Sequence, residues 1–477
     1  MVQLTYKIMK TYINLTFATL LLVLSSCGIS KDIIAPTKDI PFNFRNILKK
    51  DSSSIGKLPV HEFFTTPAIR QLIDSALTRN FDIQLALKNI DAAELILKRA
   101  KLGNIPQLNL QLSASSNRPS DNSINGLSTS QFLKTTHIED FNSNLALSWE
   151  ADIWGKIRRQ KDAAYAGYLQ SVEAKKAVQT YIVAATANGF YRLLMLDAQL
   201  NVAQRNVELN TNTLKMIKMQ FDAGQITSLG IQQAEAQLFK ASQLIPQLSQ
   251  EINIQENVLS ALTGRYPTAI ERATTLEQLT IPEGLAIGVP ATLLNVRPDI
   301  KSFELGLTIA NAKVGIANAN LYPTLVISAS GGINSFKASN WFNIPASLFG
   351  VVGGGITQPI FQRGVLRTQF ELAKVERDQS VLQFRQAVIS AVVEVANEQA
   401  KIIHLKDEYG IAQERVKVLQ LAVKNSDLLF KSGMANYLEV ITAQGNLLQG
   451  ELDLKSLKTA QLSASVSLYR ALGGGWL

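Results

Sequence analysis

One cysteine, three histidines and fourteen prolines are spread over 477 residues, and no apolar run is long enough to cross a bilayer as a helix. A single cysteine excludes an intramolecular disulfide and any multi-thiolate zinc or iron–sulfur site. His61, His137 and His404 lie far apart with no Ser/His/Asp or His/Glu spacing, so neither a nucleophilic triad nor a histidine metal site is legible. The glycine cluster Gly353-Gly354-Gly355 has no Lys-Ser/Thr after it and no dinucleotide-binding spacing, which argues against a phosphate loop. Charge of one sign is also missing from any single stripe. The formal net charge is +9, but Lys and Arg are interleaved with acids, so nucleic acid is not an expected partner. Neither an enzyme nor a cofactor-binding protein is indicated. What remains is a chain of 46% hydrophobic and 18% charged residues, with few prolines to interrupt long elements.

The lone cysteine is placed informatively. Lys7 and Lys10 precede an apolar run from Tyr12 to Leu24, too short for a membrane span. The run closes with Leu24-Ser25-Ser26-Cys27-Gly28, which resembles a bacterial lipobox. That resemblance implies a signal peptide over 1–26 and lipidation of Cys27 as the new N-terminus; Gly28 in place of Asp favours the outer membrane. Residues 27–66 contain Pro36, Pro41, Pro59 and a Ser52-Ser53-Ser54 run, and read as an extended tether.

From Ile69 to Asn104 the composition is helical, and then the hydrophobic period changes to two. Leu108, Leu110, Leu112 and Ala114 share one face, with Gln107, Asn109, Gln111 and Ser113 on the other. Phe141 to Trp154 repeats the alternation, with Glu150 and Asp152 read as polar wall or rim residues. A helix predicted over about 155–221 is broken by Gly224, and a second returns over about 228–262. Leu193, Leu196, Leu200, Ala203, Val207, Asn210, Leu214, Ile217 and Phe221 step by three and four, a coiled-coil seam with one polar interruption.

The whole pattern then recurs. Phe430-Lys431-Ser432-Gly433 lies 209 residues after Phe221-Asp222-Ala223-Gly224, and the seam from Ile402 to Phe430 keeps the same steps. The reading is a first repeat over 67–264, a linker over 265–292 and a second repeat over 293–477. Each repeat is helix, strand, strand, long helix, turn, helix, so there are four strands per chain, the last expected over Leu348 to Phe361. Strands of about ten residues with one apolar and one polar face suit a barrel wall between lipid and water. A half-buried soluble sheet would alternate in the same way. Four strands cannot close a barrel; two chains supply eight, and three supply twelve and begin to leave a lumen.

The chain resembles the TolC family, and within it the lipoprotein outer-membrane factors of RND-type multidrug and metal efflux pumps. The residues that carry the resemblance are the lipobox, Arg297-Pro298-Asp299-Ile300, Asn320-Leu321-Tyr322-Pro323, Tyr437-Leu438-Glu439-Val440-Ile441-Thr442-Ala443-Gln444 and the terminal Leu472-Gly473-Gly474-Gly475-Trp476. It implies a mainly α protein with membrane β-strands, a homotrimer whose twelve-stranded barrel in the outer membrane continues into a helical periplasmic tunnel. The implied partners are outer-membrane lipid, a periplasmic adaptor and an inner-membrane RND-type transporter, and the implied role is a passive exit duct for small molecules. A type I protein-secretion duct and a non-conducting coiled-coil adaptor are the competing readings. By position the closed periplasmic end lies at the helical turns, near Phe221 and Phe430, and the resemblance places the constriction of the gate just past the second turn, in the stretch Tyr437 to Thr442 that holds Leu438, Glu439 and Thr442. Many relatives have Asp where this chain has Thr442, and Glu439, three residues earlier on the same helical face, is the residue that could supply an acidic ring.

Overall fold

The computed structural model describes residues 31–36, 54–282 and 285–477. The expected lipidation site Cys27 and the expected signal segment lie outside the described residues. The fold is mainly helical with one four-stranded sheet, as the alternation of periods implied.

The first copy comprises α1 (Pro67–Arg79), α2 (Phe81–Lys101), β1 (Gln107–Asn117), β2 (Ile138–Ala151), α3 (Lys156–Asp222) and α4 (Ser228–Leu262). The second comprises α5 (Pro298–Ala319), β3 (Thr324–Ser335), β4 (Leu348–Thr357), α6 (Val365–Lys431) and α7 (Tyr437–Ala471). The correspondence is metrical: α3 and α6 each have 67 residues, and α4 and α7 each have 35. A 67-residue helix is about 100 Å long, and its return partner about half that.

Local chemistry sets the ends of these helices. The Asp152 carboxylate, just past the end of β2, accepts from the amides of Ile157 (2.8 Å) and Arg158 (2.9 Å), so this residue, expected at the wall or rim, caps the first turn of α3. At the other end, Gly224 adopts φ +72°, its amide donates to the Phe221 carbonyl, and the Gln225 amide donates to that of Gln220. This pair of bonds is a Schellman closure, which needs a left-handed residue and therefore favours glycine. Gly433, Gly264 and Gly473 close α6, α4 and α7 in the same way.

The strands run antiparallel in the order β1-β2-β3-β4. β4 stops at Thr357, four residues short of the expected end, because Pro359 lacks an amide to continue the ladder; beyond it the Gln358 side chain donates through Nε2 to the Leu321 carbonyl (3.2 Å). Packing divides the chain into two compact units. Among the described residues, one comprises those up to 35, 92–168 and 305–381 and holds the sheet; the other comprises those within 36–91, 169–304 and 382–477 and holds both hairpin turns.

Candidate functional site

The sheet register gathers most of the apolar strand residues on one face. Leu108 pairs with Leu147, Leu110 with Leu145, Trp149 with Ile327, Ala329 with Val352 and Leu325 with Ile356. The opposite face carries Gln107, Asn109, Gln111, Ser148, Ser328 and Gly353. Nothing among the described residues covers the apolar face: Leu108, Leu110, Leu112, Val352 and Ile356 are all more than half exposed. A soluble antiparallel sheet buries one face on a core. Here neither face is buried along β1, which leaves lipid as the medium for the apolar side. Among the described residues no helix is long and apolar enough to cross a membrane.

Aromatic residues mark both ends of the sheet, as interfacial girdles do. Near the helices, Trp149 Nε1 donates to the Asn104 carbonyl (3.0 Å), and Trp154 stacks on Tyr322 at 4.8 Å while bonding the Pro323 carbonyl (2.7 Å). Near the loops, Phe141 meets Trp341 at 5.5 Å and Trp341 meets Phe342 at 5.1 Å.

At the hairpin turns the two copies meet. Ile217 and Ala234 of the first pack with Phe430 and Val440 of the second, with Ile226, Ile231 and Tyr437 around them. Phe430 is 3% exposed whereas its repeat equivalent Phe221 is 40% exposed, so residues that look alike in sequence have different surroundings. Leu438, Glu439 and Thr442 lie on the open side of α7, where Val440 and Gln444 face inward. Asn436 and Glu439 form a reciprocal capping box: the Asn436 side chain accepts from the amides of Leu438 (2.9 Å) and Glu439 (3.2 Å), and the Glu439 carboxylate accepts from the Asn436 amide (3.5 Å). The pattern Asn-x-x-Glu is a sequence signature for this cap. In the first copy the position of Glu439 is Gly230, against which the Tyr437 ring lies.

Next to this apolar cluster the seam turns polar. Asn206 donates to the Gln444 carbonyl (3.3 Å), Asn210 to Asn206 Oδ1 (2.8 Å) and Gln444 Nε2 to Thr213 Oγ1 (2.8 Å), all four residues being buried. Only Asn210 stands out from sequence as a break in the seam.

The remaining motif residues hold the fold together. Arg297 pairs with Asp299 (2.7 Å) and Glu394 (2.8 Å) and donates to the Ala471 carbonyl (2.8 Å), and Arg470 pairs with Glu394 from the other side. The linker reaches both hairpins, through Arg272 to Asp197 (2.8 Å) and through Glu277 to Lys455 (2.5 Å). The three histidines remain apart: His61 faces Asp74 at 3.5 Å, His137 contacts Thr136 at 2.9 Å, and His404 lies on α6. Among the described residues no three His, Cys, Asp or Glu side chains gather in a way that could hold a metal.

A family described as outer membrane efflux protein matches residues 72–265 and 289–474, one stretch for each copy. The chain belongs to this family. CusC of Escherichia coli, a cation efflux system protein, is 26% identical over 464 residues, covering 95% of this chain and 97% of its own. OpmQ of Pseudomonas aeruginosa, a pyoverdine export outer membrane protein, is 27% identical and covers 97% of each chain. The outer membrane channel MtrE of Neisseria gonorrhoeae, solved in its open state, has the same fold: its TM-score is 0.83 at 24% identity, covering 94% of this chain and 99% of that one. The uncovered apolar sheet is thus the outer-membrane wall of an efflux channel.

Proposed function

We propose that three copies of this chain close one outer-membrane duct, shut at rest at the hairpin turns, that carries small molecules outward for a periplasmic adaptor and an inner-membrane RND-type transporter. β4 runs antiparallel to β1, so the free edges of successive chains pair without a change of direction. With strands about 4.8 Å apart and tilted by about 40°, eight give a ring about 16 Å across and twelve about 24 Å. Inward side chains take about 5 Å on each side, and only the larger ring then leaves a lumen for a solute.

The observation that carries the reading is a mismatch between the copies. Val202 in α3 is 1% exposed, while Ile411, its equivalent 209 residues later in α6, is 72% exposed. Leu194 and Ile403, Ala184 and Val393, and Thr180 and Ile389 differ in the same sense. The complementary face is reversed, with Leu448 buried and its equivalent Phe239 exposed. The first hairpin therefore has its neighbour within the chain, and the second presents the same apolar face without one. A head-to-tail ring covers it with the first hairpin of the next chain.

The register of that contact follows from the internal one. Gln199 Nε2 bonds the Leu452 carbonyl (3.2 Å) and the Ser456 hydroxyl (3.0 Å); shifted by one repeat, Glu408 faces Gln243 of the partner subunit. A chain carrying Glu408→Cys and Gln243→Cys, oxidised in native membranes, is expected to give a covalent ladder that stops at three. A ladder running past three, or no cross-linking, overturns the ring. Cargo is left to the transporter: CusC serves cations and OpmQ serves pyoverdine at nearly the same identity to this chain.

A further inference from the structure

The N-terminal segment meets the folded chain at a built seat. The Ile33 amide donates to Asn311 Oδ1 (3.0 Å), and Asn311 Nδ2 donates to the Ile33 carbonyl (2.8 Å). One side-chain amide thus satisfies both backbone groups of one residue, as an adjacent strand would. Asn311 is only 7% exposed. Beside it, Arg159 Nη1 pairs with the Asp32 carboxylate at 2.9 Å. Gly315 is one turn from Asn311 on the same face of α5. A Cβ there would come within 2.9 Å of Arg159 Cγ and 3.0 Å of its Nε, so glycine lets the arginine lie across the helix towards Asp32.

The internal repeat supplies a control. The first-copy equivalents of Asn311 and Gly315, 217 residues earlier, are Glu94 and Lys98, which form an ordinary exposed i,i+4 ion pair at 3.0 Å. The second-copy equivalent of Arg159, 209 residues later, is an exposed Thr368. The copies diverge at the three positions that touch the tether. A chain has one N-terminus and needs one seat.

We propose that Asn311, Gly315 and Arg159 form the receptor for this chain's own N-terminal tether and set the reach of its lipid anchor. Recognition is through the backbone of Ile33, with the Asp32–Arg159 pair fixing which residue enters. The link to the membrane rests on Cys27 being lipidated. Ile33 lies six positions after Cys27, a leash of about 20 Å when extended. Without the seat, the next described contact of the segment is the bridge of Ser54 with Ile287, and a leash of 27 residues can extend to about 90 Å. Asn311 lies eight residues, about 12 Å of helix, before the end of α5 that leads into β3. The short leash therefore keeps the acyl chains beside the end of the sheet where the helices join.

The test uses full-length lipoprotein in detergent, read by amide exchange of the 28–40 peptide and by trypsin cleavage after Lys31. In the unmodified protein the Ile33 amide is expected to be protected. Asn311→Ala is expected to speed both readouts on the order of 10-fold, through loss of two buried hydrogen bonds, while peptides over 298–309 keep their protection. Asp32→Asn, which leaves the helices untouched, is expected to act in the same direction and more weakly. An Ile33 amide that exchanges freely in the unmodified protein overturns the seat. So does an Asn311→Ala chain that loses protection throughout α5 or keeps it at Ile33. The mass of the N-terminal peptide reports acylation separately, so an unacylated Cys27 removes the anchor and its leash without touching the exchange result.

Discussion

Asn206 Nδ2 donates to the backbone carbonyl of Gln444 at 3.3 Å, joining the two hairpins of one chain through a buried polar bond next to their apolar ends. The Gln444 Oε1 atom in this layer has no partner. An unsatisfied buried carbonyl costs about 1–3 kcal/mol, and an apolar side chain of similar size removes that cost. Gln444→Leu is therefore expected to tighten the hairpins and lower resting conductance in planar bilayers. Gln444→Ala, which leaves a cavity, is expected to raise it.

The apolar cluster predicts a second asymmetry. Phe430→Ala empties a buried site and is expected to cost about 3–5 kcal/mol locally, with a leak visible as higher resting conductance. Glu439 needs a finer substitution, because its carboxylate also caps α7. Glutamine at this position keeps the capping box and removes the charge. Glu439→Gln is expected to leave resting conductance unchanged and to reduce cation preference, since three carboxylates around an axis favour cations. Glu439→Ala is expected to lose the reciprocal half of the capping box as well, leaving the Asn436 side-chain bonds in place, and to leak. Full cation preference in Glu439→Gln would remove Glu439 from the gate.

The wall predicts opposite tolerance on its two faces. Arg at the bilayer midplane costs about 2–4 kcal/mol per chain, whereas on the wet face it costs little. Leu110→Arg and Leu147→Arg are expected to abolish outer-membrane assembly, measured as heat-resistant oligomer in membrane fractions. Asn109→Arg and Gln111→Arg are expected to assemble normally.

The Arg297 network predicts acid sensitivity. Burial alone would raise Asp299, but the hydrogen-bonded guanidinium of Arg297 overrides it and holds the carboxyl below its usual range. A depressed carboxylate stabilises the fold fully above its unfolded value of about 3.9 and loses that contribution as pH falls through the lower folded value. Thermal stability is expected to hold from pH 7 to about 5 and to fall below about 4. Arg297→Met removes the partner that Asp299 and Glu394 share, and is expected to lower thermal stability at pH 7 and to flatten the acid limb.

Much of this architecture is legible from periodicity, because a coiled-coil seam and a two-faced strand each advertise one buried side. α4 falls on the expected residues, and the strand faces pair as the alternation requires. What periodicity does not show is which of two similar faces already has a neighbour. Phe221 and Phe430 occupy the same seam position, yet only Phe430 is covered, because coverage depends on which copy lies beside it in the ring. The capping box of Glu439 is readable from Asn436-x-x-Glu439 in the sequence itself. The Asn311 seat becomes visible only when each α5 residue is set against its repeat equivalent, where an exposed ion pair gives way to Asn and Gly.

The equal lengths of α3 and α6, and of α4 and α7, constrain how this gene can change. One residue inserted in α3 alone would rotate everything beyond it by about 100° and advance the turn by about 1.5 Å. Its seam would leave the partner helix, and the first turn would no longer be level with the second. A tolerated insertion therefore has to be matched in every helix of both hairpins, an event far rarer than a point substitution. The connections between strands carry no such ruler: 20 residues separate β1 from β2, and 12 separate β3 from β4. Lengths should accordingly drift at the cell surface while the helices stay locked in step.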